Sequence, residues 1–216
     1  YDPAFIDFHW RWFWDFGGGI LADMACHFVD LPYWALDLRA PATVAASGGK
    51  KLSAGDQEVP DVLQVDYRYP ARGRLPAVHL TWYSGVPGPA LDSRAPFHGY
   101  GSGVLFEGSK GRLLADYTRH KLLPEKEFKD FTPPTPTIPA SVGHHKEWLE
   151  AVKGRGRTLC NFAYSGALAQ AVLLGNVAFR CGQKITWDDK AGTADVAAAG
   201  RYLQREYRKG WKLEAR

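Results

Sequence analysis

Gly17-Gly18-Gly19-Ile20-Leu21-Ala22-Asp23-Met24-Ala25-Cys26-His27-Phe28-Val29-Asp30 is the stretch on which the reading of this chain turns. Three glycines run into an apolar pattern at Ile20, Met24, Phe28, Leu31 and Trp34, which predicts a helix from about Ile20 to Leu36. Pro32 is expected to kink or restart it, with Asp30 as a cap, and Pro41 closes the segment. Asp23 and His27 are four residues apart, so a helix puts both on one face, one turn apart. A carboxylate beside an imidazole can fix its orientation and raise its proton affinity. That is the minimum equipment for moving a proton to or from a hydroxyl. The same spacing also describes an ordinary surface pair.

Upstream, residues 1–16 are crowded with aromatic rings. Their alternation is poor, which suits an irregular pocket lining or an arm packed on the core. Trp10, Arg11, Trp12, Trp14 and Asp15 offer the flat apolar faces and hydrogen-bonding groups that sugar binding needs. Core packing is the competing use for each Trp. The glycines allow close backbone approach, but no strand precedes them and they lack the Gly-x-Gly-x-x-Gly spacing.

Downstream the chain reads as a sheet followed by helices. Thr43–Ala46 is a short β-branched run. Val62–Tyr69 alternates, with Leu63, Val65, Tyr67 and Tyr69 on one face, and Val78–Tyr83 groups Val78, Leu80 and Trp82. Gly103–Glu107 and Arg112–Tyr117 suggest a hairpin. Residues 85–102 read as a long Gly/Pro-rich loop containing His98, and residues 120–140 as a Pro-rich connection. Helices are expected over Val142–Lys153 with Ser141 as cap, over Phe162–Cys181 ended by Gly182, and over Ala194–Tyr207. In the second of these, Ala163, Leu168, Val172, Leu173, Val177 and Ala178 should form the buried stripe. Ile185–Asp188 is a last short strand. The expected fold is α+β: one domain, 1–216, with a large, mostly antiparallel open sheet and helices on one face.

The 216 residues suffice for a full core, and 45% hydrophobic with 23% charged is ordinary for a globular protein. The net charge of +4 is small and gathers near the C-terminus, so no nucleic-acid partner is expected. Three cysteines without a Cys-x-x-Cys pair suggest neither a disulfide framework nor a thiolate zinc site. No apolar run approaches the roughly 20 residues needed to span a bilayer, and no membrane partner is expected. The chain starts at Tyr1 without Met and reads as part of a longer protein.

Trp12–Gly19 with Ala22–Leu36 resembles the Gfo/Idh/MocA oxidoreductases, relatives of glucose–fructose oxidoreductase and inositol dehydrogenase. Gly108–Gly111, Gly143–Ala151, Cys160–Gly166, Leu173–Ala178 and Trp187-Asp188 agree, in family order, and are similar to its sugar-acting bacterial branch. The resemblance is to the family's second half. It implies an α+β substrate domain, whose partner Rossmann domain with its catalytic Lys is missing from this sequence. It implies NAD or NADP as cofactor of the full-length protein, with none expected to bind this chain alone.

It further implies His27 as acid/base on a sugar or cyclic polyol hydroxyl, with Asp23 orienting it or binding a neighbouring hydroxyl. His144 or His145, at a helix start, and Tyr164 would stand near the site. The sheet face away from the helices would form a homo-oligomer contact. No metal site is assigned. The alternatives are a free-standing sugar-binding or oligomerisation module without redox activity, and an NAD-assisted glycoside-cleaving enzyme. Of location, the cytoplasm is favoured and export is the alternative.

Overall fold

The computed structural model describes residues 5–85 and 101–211. In chain order the elements are α1 (Gly19–Ala35), β1 (Thr43–Gly49), β2 (Val62–Tyr69), β3 (Val78–Ser84), β4 (Val104–Gly108), β5 (Gly111–Ala115), β6 (His120–Leu123), α2 (His144–Val152), α3 (Phe162–Cys181), β7 (Ile185–Asp188), β8 (Thr193–Ala194) and α4 (Gly200–Leu203). The fold is α+β with open antiparallel sheets. Two compact units are drawn from Tyr1–Ala90 with Gln170–Arg216, and from Leu91–Ala169.

The first unit holds a five-stranded sheet in the order β3-β2-β1-β7-β8. The β2 register sets Val65 opposite Trp82, Tyr67 opposite Leu80 and Tyr69 opposite Val78. The two apolar sets read from the sequence therefore share one face, because side chains opposite each other across a ladder point the same way. α1 and the second half of α3 pack on that face. Leu21, Val65, Tyr67 and Val172 are almost fully buried, and the Tyr67 hydroxyl donates to the Val172 carbonyl at 2.7 Å. Gly175 lets α3 approach so closely that a Cβ there would meet Tyr67, Leu21 and Val65. The other face is mostly polar, with Tyr83 opposite Gln64 on it. Asp66 accepts from Gln64 Nε2 at 3.0 Å and from Thr81 Oγ1 at 2.9 Å, and His79 Nε2 lies 2.6 Å away.

α1 runs unbroken through Pro32, so Asp30 caps no second helix. Its C-terminus is held by Arg72, whose Nη2 donates to the Leu36 carbonyl at 2.9 Å, a cation at the negative end of a helix. α3 matches its predicted bounds, and Gly182 follows in the left-handed region at φ 67°. It is long and apolar enough to cross a membrane, contrary to the sequence expectation. Here Ala171, Val172, Leu174 and Ala178 are core residues. Leu173, predicted inside, is 42% exposed, and Leu174 takes the inward place. The helix expected over Ala194–Tyr207 shrinks to a 3-10 turn and the single turn of α4. Thr193-Ala194 pairs with β7, and the Asp195 carboxylate accepts the Thr186 N–H at 2.7 Å, which holds this segment extended.

In the second unit β4, β5 and β6 form an antiparallel meander around Leu114, Leu123 and Leu105. The predicted hairpin is there. β6 was hidden in what read as a Pro-rich connection. α2 starts two residues later than expected, capped by Gly143 rather than Ser141, whose hydroxyl accepts the Gly143 N–H at 3.0 Å.

Candidate functional site

The site begins with the glycines. A Cβ on Gly17 would strike the Arg11 backbone, one on Gly18 the Asn176 amide and Ala22, and one on Gly19, at φ 67°, Val59. All three side-chain positions are filled by the protein itself. The arm before them forms a 3-10 turn over His9–Trp12. The Trp12 carbonyl accepts two N–H groups, from Glu58 at 2.8 Å and Val59 at 3.0 Å. The Trp14 N–H donates to Glu58 Oε2 at 2.9 Å.

That anchorage sets Arg11 over α1. Its Nε donates to Asp23 Oδ2 at 2.9 Å, and its guanidinium lies 4.6 Å from the Phe8 ring centroid and 4.5 Å from that of Trp10. Buried Leu21, Ala25, Val29 and Tyr33 mark the inner side of α1. At about 100° per residue, Asp23 and His27 fall on the opposite side. His27 is exposed, and Asp23 and Arg11 are partly so. The helix thus presents a carboxylate and an imidazole one turn apart on an accessible face, beside a guanidinium and the Trp10 ring. Such a face can bind vicinal hydroxyls and take a proton from one of them.

Trp14 goes elsewhere. With Gly17, Gly18, Ala22, Asn176, Arg180 and Tyr202 it lines an open cleft of about 230 Å³ between the start of α1 and the end of α3. The Arg180 guanidinium lies 4.6 Å from the Trp14 ring centroid and 4.1 Å from that of Tyr202. Asn176, 7% exposed, donates from Nδ2 to the Gly18 carbonyl at 2.9 Å. Its Oδ1 is buried with no hydrogen-bond partner among the described residues. Sequence reasoning missed this cleft. Its one signal was Asn176, in the Gly175-Asn176-Val177 step of the otherwise apolar 171–179 stretch of α3.

Of the other residues named from sequence, Trp12 is half-buried against the 58–59 connection. Asp15 is exposed, and its carbonyl accepts from Arg205 Nη1 at 3.3 Å. His144 and His145 belong to the second unit, both exposed, with ring centroids 4.2 Å apart. Tyr164, in the first turn of α3, is half-buried and donates its N–H to Asn161 Oδ1 at 3.1 Å. His98 lies outside the described residues. Among the described residues no three of His, Cys, Asp and Glu gather as metal ligands. The structure thus brings Arg11, Trp10, Asp23 and His27 to one region and directs Trp14 to the cleft.

A family model described as the GFO/IDH/MocA C-terminal domain matches residues 2–113, about half of the chain. No curated protein matches it.

Proposed function

The chain belongs to the GFO/IDH/MocA family, of which it carries the C-terminal domain, and on that premise we propose that it is the substrate-binding, catalytic half of an NAD- or NADP-dependent oxidoreductase. The substrate is a sugar or cyclic polyol of the kind handled by the family's sugar-acting bacterial branch. The observation that carries this is the accessible Asp23/His27 face of α1 with Arg11 closing on Asp23. His27 takes the hydroxyl proton at a ring nitrogen. Asp23, its carboxylate fixed by Arg11, accepts from a neighbouring hydroxyl or orients His27. The Trp10 ring offers an apolar face to the sugar.

Oxidation also needs a hydride acceptor, and the described residues do not fit one. The Gly17–Gly19 side-chain positions are filled by Arg11, Asn176, Ala22 and Val59. The paired strands are antiparallel, so no strand-helix-strand cradle for a pyrophosphate arises. In this reading the nicotinamide is held by a separate nucleotide-binding domain. The same misfit favours a second reading, a sugar-binding module without redox chemistry. The homo-oligomer is proposed to form through the mostly polar outer face of the five-stranded sheet.

In the full-length protein, His27→Asn should lower turnover by about 10²–10⁴-fold, the usual worth of a positioned acid/base, with unchanged thermal unfolding. Unaltered turnover and pH profile would remove His27 from the mechanism. Sugar binding with no turnover for NAD or NADP in the wild type would select the second reading.

A further inference from the structure

We infer that the cleft between the start of α1 and the end of α3 binds a small hydroxylated carboxylate, a sugar acid being the type, through Arg180 and Asn176. This goes beyond the oxidoreductase reading and stands without it. Among the described residues Arg180 is the only charged side chain lining the cleft, and no carboxylate pairs with it. The rings of Trp14 and Tyr202 hold its guanidinium at 4.6 and 4.1 Å, which fixes the plane and leaves the N–H edge for an acceptor. A planar fork held in this way matches a carboxylate with two parallel hydrogen bonds.

Asn176 supplies the independent observation. It is 7% exposed, lines the cleft, and keeps a buried Oδ1 without a donor among the described residues. Buried polar atoms are normally paired, so this oxygen calls for a donor, and a ligand hydroxyl is one. The field points the same way. α1 starts at the cleft with Gly18 as its cap and no side chain on its first-turn N–H groups, the positive end of the helix dipole. The cleft is small, about 230 Å³, and open on one side, which suits one ring or a short chain better than a drug-sized ligand. Ala22 lines the cleft one residue before Asp23, about 100° round α1, so cleft and Asp23/His27 face are separable.

Calorimetry of the full-length protein with sodium glucuronate, glucose and inorganic phosphate tests this. Glucuronate should bind roughly tenfold more tightly than either of the others. Arg180→Gln should abolish that preference. Since Arg180 also braces two rings, Ala22→Glu is the second variant: it puts a carboxylate on the cleft wall and should abolish the preference while the thermal midpoint holds. His27→Asn should keep it. Equal binding of glucuronate and glucose, phosphate binding as tightly as glucuronate, or a preference that survives both cleft variants would overturn the inference. Loss of the preference in His27→Asn would do so too, by assigning the acid to the Asp23/His27 face.

Discussion

Arg11 is held on three sides, by the Asp23 carboxylate and by the Phe8 and Trp10 rings. The ion pair is partly exposed, at 20% and 34%, so its worth to stability is at most about 1 kcal/mol. Arg11→Gln in the full-length protein should raise KM for the proposed sugar or polyol substrate severalfold while moving the unfolding midpoint by only a few degrees, read by steady-state kinetics beside calorimetry. A large loss of stability with KM unchanged would make Arg11 a packing residue. Tyr67→Phe is the opposite case. Its hydroxyl is buried on the Val172 carbonyl, and the variant should cost about 0.5–1.5 kcal/mol in urea unfolding, with catalysis untouched. The Asp23/His27 pair was legible because helical spacing is a local property. The grip of Arg11 on Asp23 was not, since it spans twelve residues and depends on how three glycines turn the chain.

Elements with a clean period were legible to the residue. β2 alternates and is found at Val62–Tyr69; α3 is apolar on most sides and is found at Phe162–Cys181. Elements set by partners were not. β6 exists because β5 offers an edge, and the last helix fails because Asp195 is tied to Thr186. The inward face of α3 was misjudged at Leu173 because an apolar pattern on nearly every side gives no direction. Close approach of α3 to β2 depends on Gly175, where a Cβ would lie 2.5 Å from the Tyr67 hydroxyl oxygen and 2.9 Å from Val65 Cγ1. Gly175→Val should destabilise by about 1–3 kcal/mol or more through overpacking, and Tyr67→Phe should relieve part of it in the double variant. Additive effects would mean that the two positions do not touch.

Among the described residues, four carboxylates, Asp61, Asp66, Asp116 and Asp195, have a lowered pKa and so contribute acid sensitivity. Desolvation opposes ionisation of Asp61, but the N–H groups of Lys51, Leu52 and Ser53 outweigh it and hold the group at about 2. Asp116 is also at about 2, from the Thr118 N–H and then the Arg119 side chain and N–H. Asp66 is lowered too; desolvation opposes this, and hydrogen bonds from Gln64, His79 and Thr81 prevail. Each folded pKa lies below its unfolded value, so the stabilisation is present above about pH 4 and lost as pH falls toward 2. Asp61→Asn should flatten that acid limb and cost about 1–2 kcal/mol at pH 7. Urea unfolding midpoints at pH 7, 4 and 2.5 check it. The proposed pairing of copies is also a property at this scale. Since Val65 and Trp82 share the covered face, the outer face offers Gln64, Asp66, His79 and Thr81, and an interface there would be mostly polar. Sedimentation at tens of micromolar should show a dimer or larger that weakens in high salt, as screened charges do; a monomer throughout counts against it.

The arm at residues 9–17 is tied to the connection between β1 and β2 through its own main chain: the Trp12 carbonyl takes the Glu58 and Val59 N–H groups, and the Trp14 main-chain N–H reaches the Glu58 carboxylate. None of these three bonds asks anything of the side chains at positions 10, 12 and 14. Attachment and recognition are thus written in different atoms. The rings at positions 10, 12 and 14 can be exchanged without breaking these three bonds, so the surface this arm presents can change while its attachment stays the same.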